Sequence, residues 1–205
     1  MTSKTPATGP VLARRAFLAM TATGTAGLLA ACTGTTPLVT YDLVAAATQP
    51  AARRSNRTVL ISVPEALQTY DTDRIVAREP GGVLSYLPTA QWSDSLPRLI
   101  QTRLLQAFQD AGVANVGRTT DPLNPDRVLA SDIRAFELDL SAGRQAVVSL
   151  NVRLVDDWNR RVVASSAFAA TIPAPGTSAP EAVPALNAAL NEVIGEIVRW
   201  TVQRV

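Results

Sequence analysis

Two successive stretches of alternating side chains constrain this chain more than any other feature. Across residues 145–155, Val148, Leu150, Val152 and Leu154 alternate with Ser149, Asn151 and Arg153. Across residues 162–172, Val162, Ala164, Ser166, Phe168, Ala170 and Ile172 fall on one face. A period of two over that length fits strands with one covered face and cannot keep an apolar stripe on a helix. The preceding segment, 128–140, ends with Phe136, Leu138 and Leu140 facing one way. Ser141-Ala142-Gly143-Arg144 and Asp157-Trp158-Asn159-Arg160 are turn-like joints between the three segments. A three-stranded antiparallel meander, covered on one side, is the economical expectation.

The cover comes from helices. Trp92, Leu96, Leu99, Ile100, Leu104, Ala107, Phe108 and Ala111 recur at three- and four-residue spacing. Ser93 or Ser95 can cap this helix, Pro97 is tolerated in its first turn, and Gly112 stops it. A second stripe, Leu186, Leu190, Val193, Ile197 and Trp200, runs toward the C-terminus. Ser178 and Glu181 have capping-box spacing, yet Pro184 suggests that the regular part begins nearer to it.

Shorter pieces complete the body. Val39, Tyr41 and Leu43 alternate with Thr40 and Asp42, as in a strand that docks on the body. The run Val59-Leu60-Ile61-Ser62-Val63, stopped by Pro64, suits a buried strand, and residues 113–116 suit another. Segments 74–77 and 83–86 flank Pro80-Gly81-Gly82, which reads as a hairpin turn. The expectation is an α/β (α+β) body: a mixed, largely antiparallel sheet with two main amphipathic helices packed on it.

Composition sets the limits of function. The 205 residues suffice for one ordinary domain, and 47% hydrophobic against 18% charged residues excludes a disordered chain. There is no histidine, which removes Ser-His-Asp triads and nearly all zinc constellations. The one cysteine, Cys32, can form no intramolecular disulfide. Neither catalytic residues nor a metal or other cofactor site is expected.

The N-terminus reads as an address. Arg14 and Arg15 precede an uncharged stretch over residues 16–31, the order of a secretory signal peptide. The pair followed by Phe17-Leu18 resembles the twin-arginine export signal, with an ordinary Sec n-region as the alternative. Leu29-Ala30-Ala31-Cys32 looks like a bacterial lipobox, in which Cys32 is acylated and becomes the new N-terminus. Residues 1–31 are thus expected to be removed, residues 32–57 to form the lipidated N-terminus and tether, and residues 58–205 to form the body. Thr33 in place of an Asp leans toward the outer membrane. Removal of 1–31 takes three of the 19 basic residues and none of the 17 acidic ones, leaving 16 against 17. The basic balance therefore belongs to the export signal, and no nucleic-acid partner is expected.

Remaining candidates for chemistry are few. Asp71 with Asp73 and Asp156 with Asp157 fall in turns, where Asp satisfies local backbone donors. Gly81-Gly82 does not open a helix, which disfavours a phosphate cradle. Arg53, Arg54 and Arg57 lie beside the tether, where a solvated linker is the simpler reading than contact with anionic headgroups. Tyr86, Trp92 and Trp158 are the candidate partner surface, although Trp92 at the head of an apolar stripe equally suits a core.

These pieces, in order, resemble the ABC-type transport auxiliary lipoproteins, the family of paraquat-inducible protein C-like lipoproteins. The resemblance starts at Cys32 and, from about residue 39, at Tyr41-Asp42-Leu43. It continues through 59–64, Tyr70-Asp71-Thr72-Asp73-Arg74-Ile75, Leu84-Ser85-Tyr86 and Gln91-Trp92-Ser93-Asp94-Ser95-Leu96-Pro97, to Trp200. It implies a non-enzymatic partner on the periplasmic side of a bacterial membrane, anchored through acylated Cys32. Its implied partners are a mammalian-cell-entry (MCE) domain protein and an ABC permease/ATPase complex that moves lipids between inner and outer membranes; homo-oligomerisation is left open. The alternative is an envelope lipoprotein that activates a cell-wall enzyme or assembles a secretion pore on a similar body.

Overall fold

In the computed structural model, residue 2 and residues 37–45, 56–141 and 143–205 are described. The readings at Arg14, Arg15, Leu29, Ala30, Ala31 and Cys32, and at Arg53 and Arg54, lie outside them. The strands in chain order are β1 (Val39–Tyr41), β2 (Val59–Ile61), β3 (Glu65–Ala66), β4 (Arg74–Arg78), β5 (Leu84–Trp92), β6 (Val116–Arg118), β7 (Arg127–Asp139), β8 (Gln145–Asp156) and β9 (Val162–Pro173). The helices are α1 (Leu96–Asp110) and α2 (Ala179–Val202).

The meander is present as β7-β8-β9, antiparallel throughout. Along β8, Ala146, Val148, Leu150, Val152 and Leu154 are all fully buried, as their alternation requires. In β7 the residues buried on the core side are Leu129, Ser131 and Ile133, then Phe136 and Leu138. The register shifts between Ile133 and Ala135, so Arg134 is the extra residue of a bulge. An inserted residue reverses parity, which lets odd positions before it and even positions after it reach the same core.

β7 is the spine of the sheet. Its far edge is lined end to end by β2, β3 and β4, all parallel to it. β6 extends the sheet beside β2, while β5 and then β1 extend it beside β4. The mixed sheet is therefore as expected, with the long strands in the antiparallel pairings. α2 lies mainly against β8 and β9, and α1 against α2 and β6. Trp92 and Phe136 meet edge-to-face at 5.8 Å, and Phe168 and Trp200 at the same distance, closing the core between sheet and helices.

Several local expectations change. Trp92 ends β5 instead of heading the helical stripe; a turn at Ser93-Asp94 separates it from α1, whose N-cap is Ser95. Pro97 and Gly112 (φ +80°) act as expected at the two ends of α1. α2 starts at Ala179 and contains Pro184. The Ser178 N–H and hydroxyl both donate to Glu181 Oε2, at 3.2 and 2.5 Å, so the cap fixes the start and the proline is absorbed within the helix. β5 runs well beyond residue 86, through Pro88 and Thr89 (φ +57°). The residues after Tyr86 bulge away from β4, whose next pairing is Arg74 with Gln91, so Pro88 owes no hydrogen bond to that ladder.

Candidate functional site

The β8-β9 turn holds the most exposed large hydrophobic side chain among the described residues. Trp158 is 96% exposed. The turn below it is tightly organised: Asp156 Oδ1 accepts the N–H groups of Trp158 (3.1 Å) and Asn159 (3.2 Å), and Asn159 Oδ1 accepts that of Arg161 (2.9 Å). The other Asp156 oxygen pairs with Arg127 at the start of β7. Arg160 takes a left-handed backbone (φ +57°), and its guanidinium reaches Asp157 at 3.3 Å. The Asp156-Asp157 pair thus secures a turn, as its sequence position suggests. Because the backbone beneath it is already fixed, a partner that covers the indole has only the side chain to order, and tryptophan is a residue type that often dominates an interface.

Two valines extend this surface. Val162 and Val163 at the start of β9 are about half exposed. Alternation assigns Val162 to the covered face, but the register shifts between Leu154 and Val155, leaving Val163 as an unpaired insertion. The tandem Val-Val was the only sequence signal for this break. Among the described residues β9 pairs with β8 alone, so its other edge is open. It carries no charged residue and no proline before Pro173. Strand edges usually carry such protection, and an edge without it is a template for another strand.

The other candidate surface residues separate. Tyr86 is 45% exposed and lies under the guanidinium of Arg74, 5.2 Å from its ring centre. Trp92 is 1% exposed and offers no surface: it is core, because β5 turns its indole onto Phe136. Tyr86, Trp92 and Trp158 therefore do not form one patch. Asp71 and Asp73 lie exposed ahead of β4. No group of three or more His, Cys, Asp or Glu among the described residues could hold a metal.

One buried ionisable cluster was not legible in the sequence. Glu137 lies between Phe136 and Leu138 and so projects from the opposite side of β7, where it is buried. Tyr70, from the loop between β3 and β4, donates its hydroxyl to Glu137 Oε2 at 2.6 Å. Arg78 donates its Nη2 to the same oxygen at 3.0 Å and its Nε to Oε1. Burial, then the hydrogen bond to Glu137, pushes the Tyr70 hydroxyl up to about 12, and the Glu137 hydrogen bond raises Arg78 further into its charged range. Both carboxylate oxygens are satisfied, which marks this trio as a clasp joining β4 to β7.

A groove of about 400 Å³ opens between β1, the bend in β5 and the start of α2, lined by Val39, Tyr41, Pro88, Ala90, Thr177 and Pro180 among others. No helix of the described residues is long and apolar enough to cross a membrane.

A family model described as ABC-type transport auxiliary lipoprotein component matches residues 41–198. An uncharacterized protein of Bradyrhizobium diazoefficiens is 31% identical over 169 residues, covering 80% of this chain and 45% of that one, so the chain spans less than half of the relative's length. The crystal structure of a Xanthomonas campestris protein matches with a TM-score of 0.75 at 29% identity, over 80% of this chain and 95% of that one. A second crystal structure, of an uncharacterized protein, shares the fold at 14% identity, with a TM-score of 0.64 over 80% of this chain and 99% of that one.

Proposed function

Because the chain belongs to the ABC-type transport auxiliary lipoprotein component family, we propose that it is a non-enzymatic subunit of an MCE-type ABC transport system, held on the periplasmic side of a membrane by acylated Cys32. The observation that carries this reading is the family match across 41–198, which spans α1, most of α2 and all but the first two residues of the sheet. The Leu29-Ala30-Ala31-Cys32 sequence supports the anchor. Several acyl chains, each contributing about 0.8 kcal/mol per buried CH₂, hold a protein stably where one would not. Thr33 after the cysteine favours the outer membrane. The body contributes binding: Trp158 and the open edge of β9 are the surface offered to the MCE-domain protein or the permease/ATPase complex.

The reading is tested by epistasis. Deleting the gene should slow lipid movement between the two membranes as much as deleting the permease does, and deleting both should be no worse. Additive defects, or lipid movement untouched by either deletion, would contradict it.

A further inference from the structure

The groove beside β1 is uncharged along its walls. Its walls come from three segments, 37–41, 83–92 and 173–180, none of which contains an Asp, Glu, Lys or Arg. Val39 and Leu38 at its rim are half exposed, and Val44, just beyond β1, is exposed as well. Of the acids that adjoin the lining in sequence, Glu181 is engaged by the hydroxyl and N–H of Ser178, and Asp42 is paired with Arg103. Its volume falls in the range of about 300–1,000 Å³ typical of ligand clefts. An uncharged, partly apolar hollow suits hydrocarbon and glycerol better than it suits a charged protein surface.

Chain length says what lies against it. Leu38 at the rim comes only six residues after Cys32. At roughly 3.3–3.6 Å per residue they span at most about 20 Å. The Trp158 turn lies at the other end of β8 and β9, whose other ends meet where Gln145 pairs with Pro173. Ala174 still bonds to Arg144 there, three residues before Thr177 in the groove wall. Twelve strand residues at roughly 3.3 Å each put the Trp158 turn about 40 Å from that end. A tether that short keeps the rim of the groove near the acylated residue and leaves the far turn beyond its reach.

We propose that this groove seats on the lipid surface that holds acylated Cys32, so that the body stands on its β1 and α2 N-terminal end with the Trp158 turn directed away from the bilayer. The inference rests on the lipid-anchor reading above and adds an orientation to it. The acyl anchor supplies affinity, and the groove supplies direction.

Cys32 is the sole cysteine, and acylation removes its thiol, so one introduced cysteine can be labelled alone. Full-length acylated protein carrying Thr177→Cys at the groove or Val163→Cys near the far turn is reconstituted into phosphatidylethanolamine–phosphatidylglycerol vesicles. Each is labelled with a nitroxide and read for collision with oxygen, which partitions into lipid, or with an aqueous nickel chelate. The expected result is loss of nickel access at position 177 and retained access at position 163. Val39→Asp should restore nickel access at 177 while leaving vesicle flotation and thermal unfolding unchanged. Protein that floats with the vesicles but shows both labels in water, or the label at 163 in lipid, overturns the orientation and leaves the anchor intact. Protein that does not float overturns the anchor reading and the orientation with it.

Discussion

Glu137 shows how much a single inserted residue decides. Without the bulge at Arg134, residues 136 and 138 would face away from the helices and Glu137 would face the core. With it, the carboxylate reaches Tyr70 and Arg78 on the opposite side. Glu137 is the buried acceptor for both Tyr70 and a partly exposed Arg78, so Glu137→Ala should cost about 1–3 kcal/mol in denaturant unfolding. Tyr70 provides a pH signature. Its folded-state value is about 12, against an ordinary value of about 10 in the unfolded chain. Between those values the folded state binds the extra proton, so stability falls as pH rises from about 10 to about 12. In a spectrophotometric titration of the three tyrosines, Tyr70 should ionise last, and Tyr70→Phe should remove that late step. Trp158 is expected to behave in the opposite way. With its side chain in solvent, Trp158→Ala should change unfolding by less than about 0.5 kcal/mol and weaken the partner complex by about 2 kcal/mol, roughly 30-fold.

At the scale of elements, α2 depends on its first turn. The Ser178 hydroxyl, then its backbone N–H, holds the Glu181 carboxyl below its ordinary range. A depressed carboxylate stabilises the fold above its unfolded-state value and loses that contribution as pH falls through the folded-state value. Ser178→Ala should therefore lower the thermal unfolding midpoint at neutral pH, and lower it less in acid, where the Glu181 carboxylate is protonated. This cap could be read from the sequence because its spacing is local. β8 and β9 could be read because alternation over a dozen residues has no helical equivalent. β3, with two residues, and the long course of β5 could not. β3 exists only by pairing with β7, and Pro88 sits where β5 leaves its partner, a fact of tertiary pairing. Trp92 fits the helical stripe by spacing although it belongs to β5, because both β5 and α1 deliver apolar side chains to one core. The exposed turn was legible as a turn, but the open edge of β9 was not: an edge is defined by what fails to pair with it.

At the scale of the whole molecule, the proposed anchor rests on Cys32. Cys32→Ser should abolish incorporation of a fatty-acid analogue and release or misprocess the protein; persistent labelling would refute the lipobox reading. Near-equal basic and acidic counts after residue 31 leave no net positive charge to attract polyanions, so the proposed contact with a transporter is expected to depend little on ionic strength. The central claim is that this lipoprotein works as part of an MCE-type ABC system. The most direct measurement is affinity purification of the full-length acylated protein from gently solubilised membranes, with Trp158→Ala in parallel. The account predicts that the wild type retains an MCE-domain protein with its permease and ATPase, and that the variant retains much less. Recovery of none of these components, under conditions in which the permease and ATPase stay bound to each other, would contradict it.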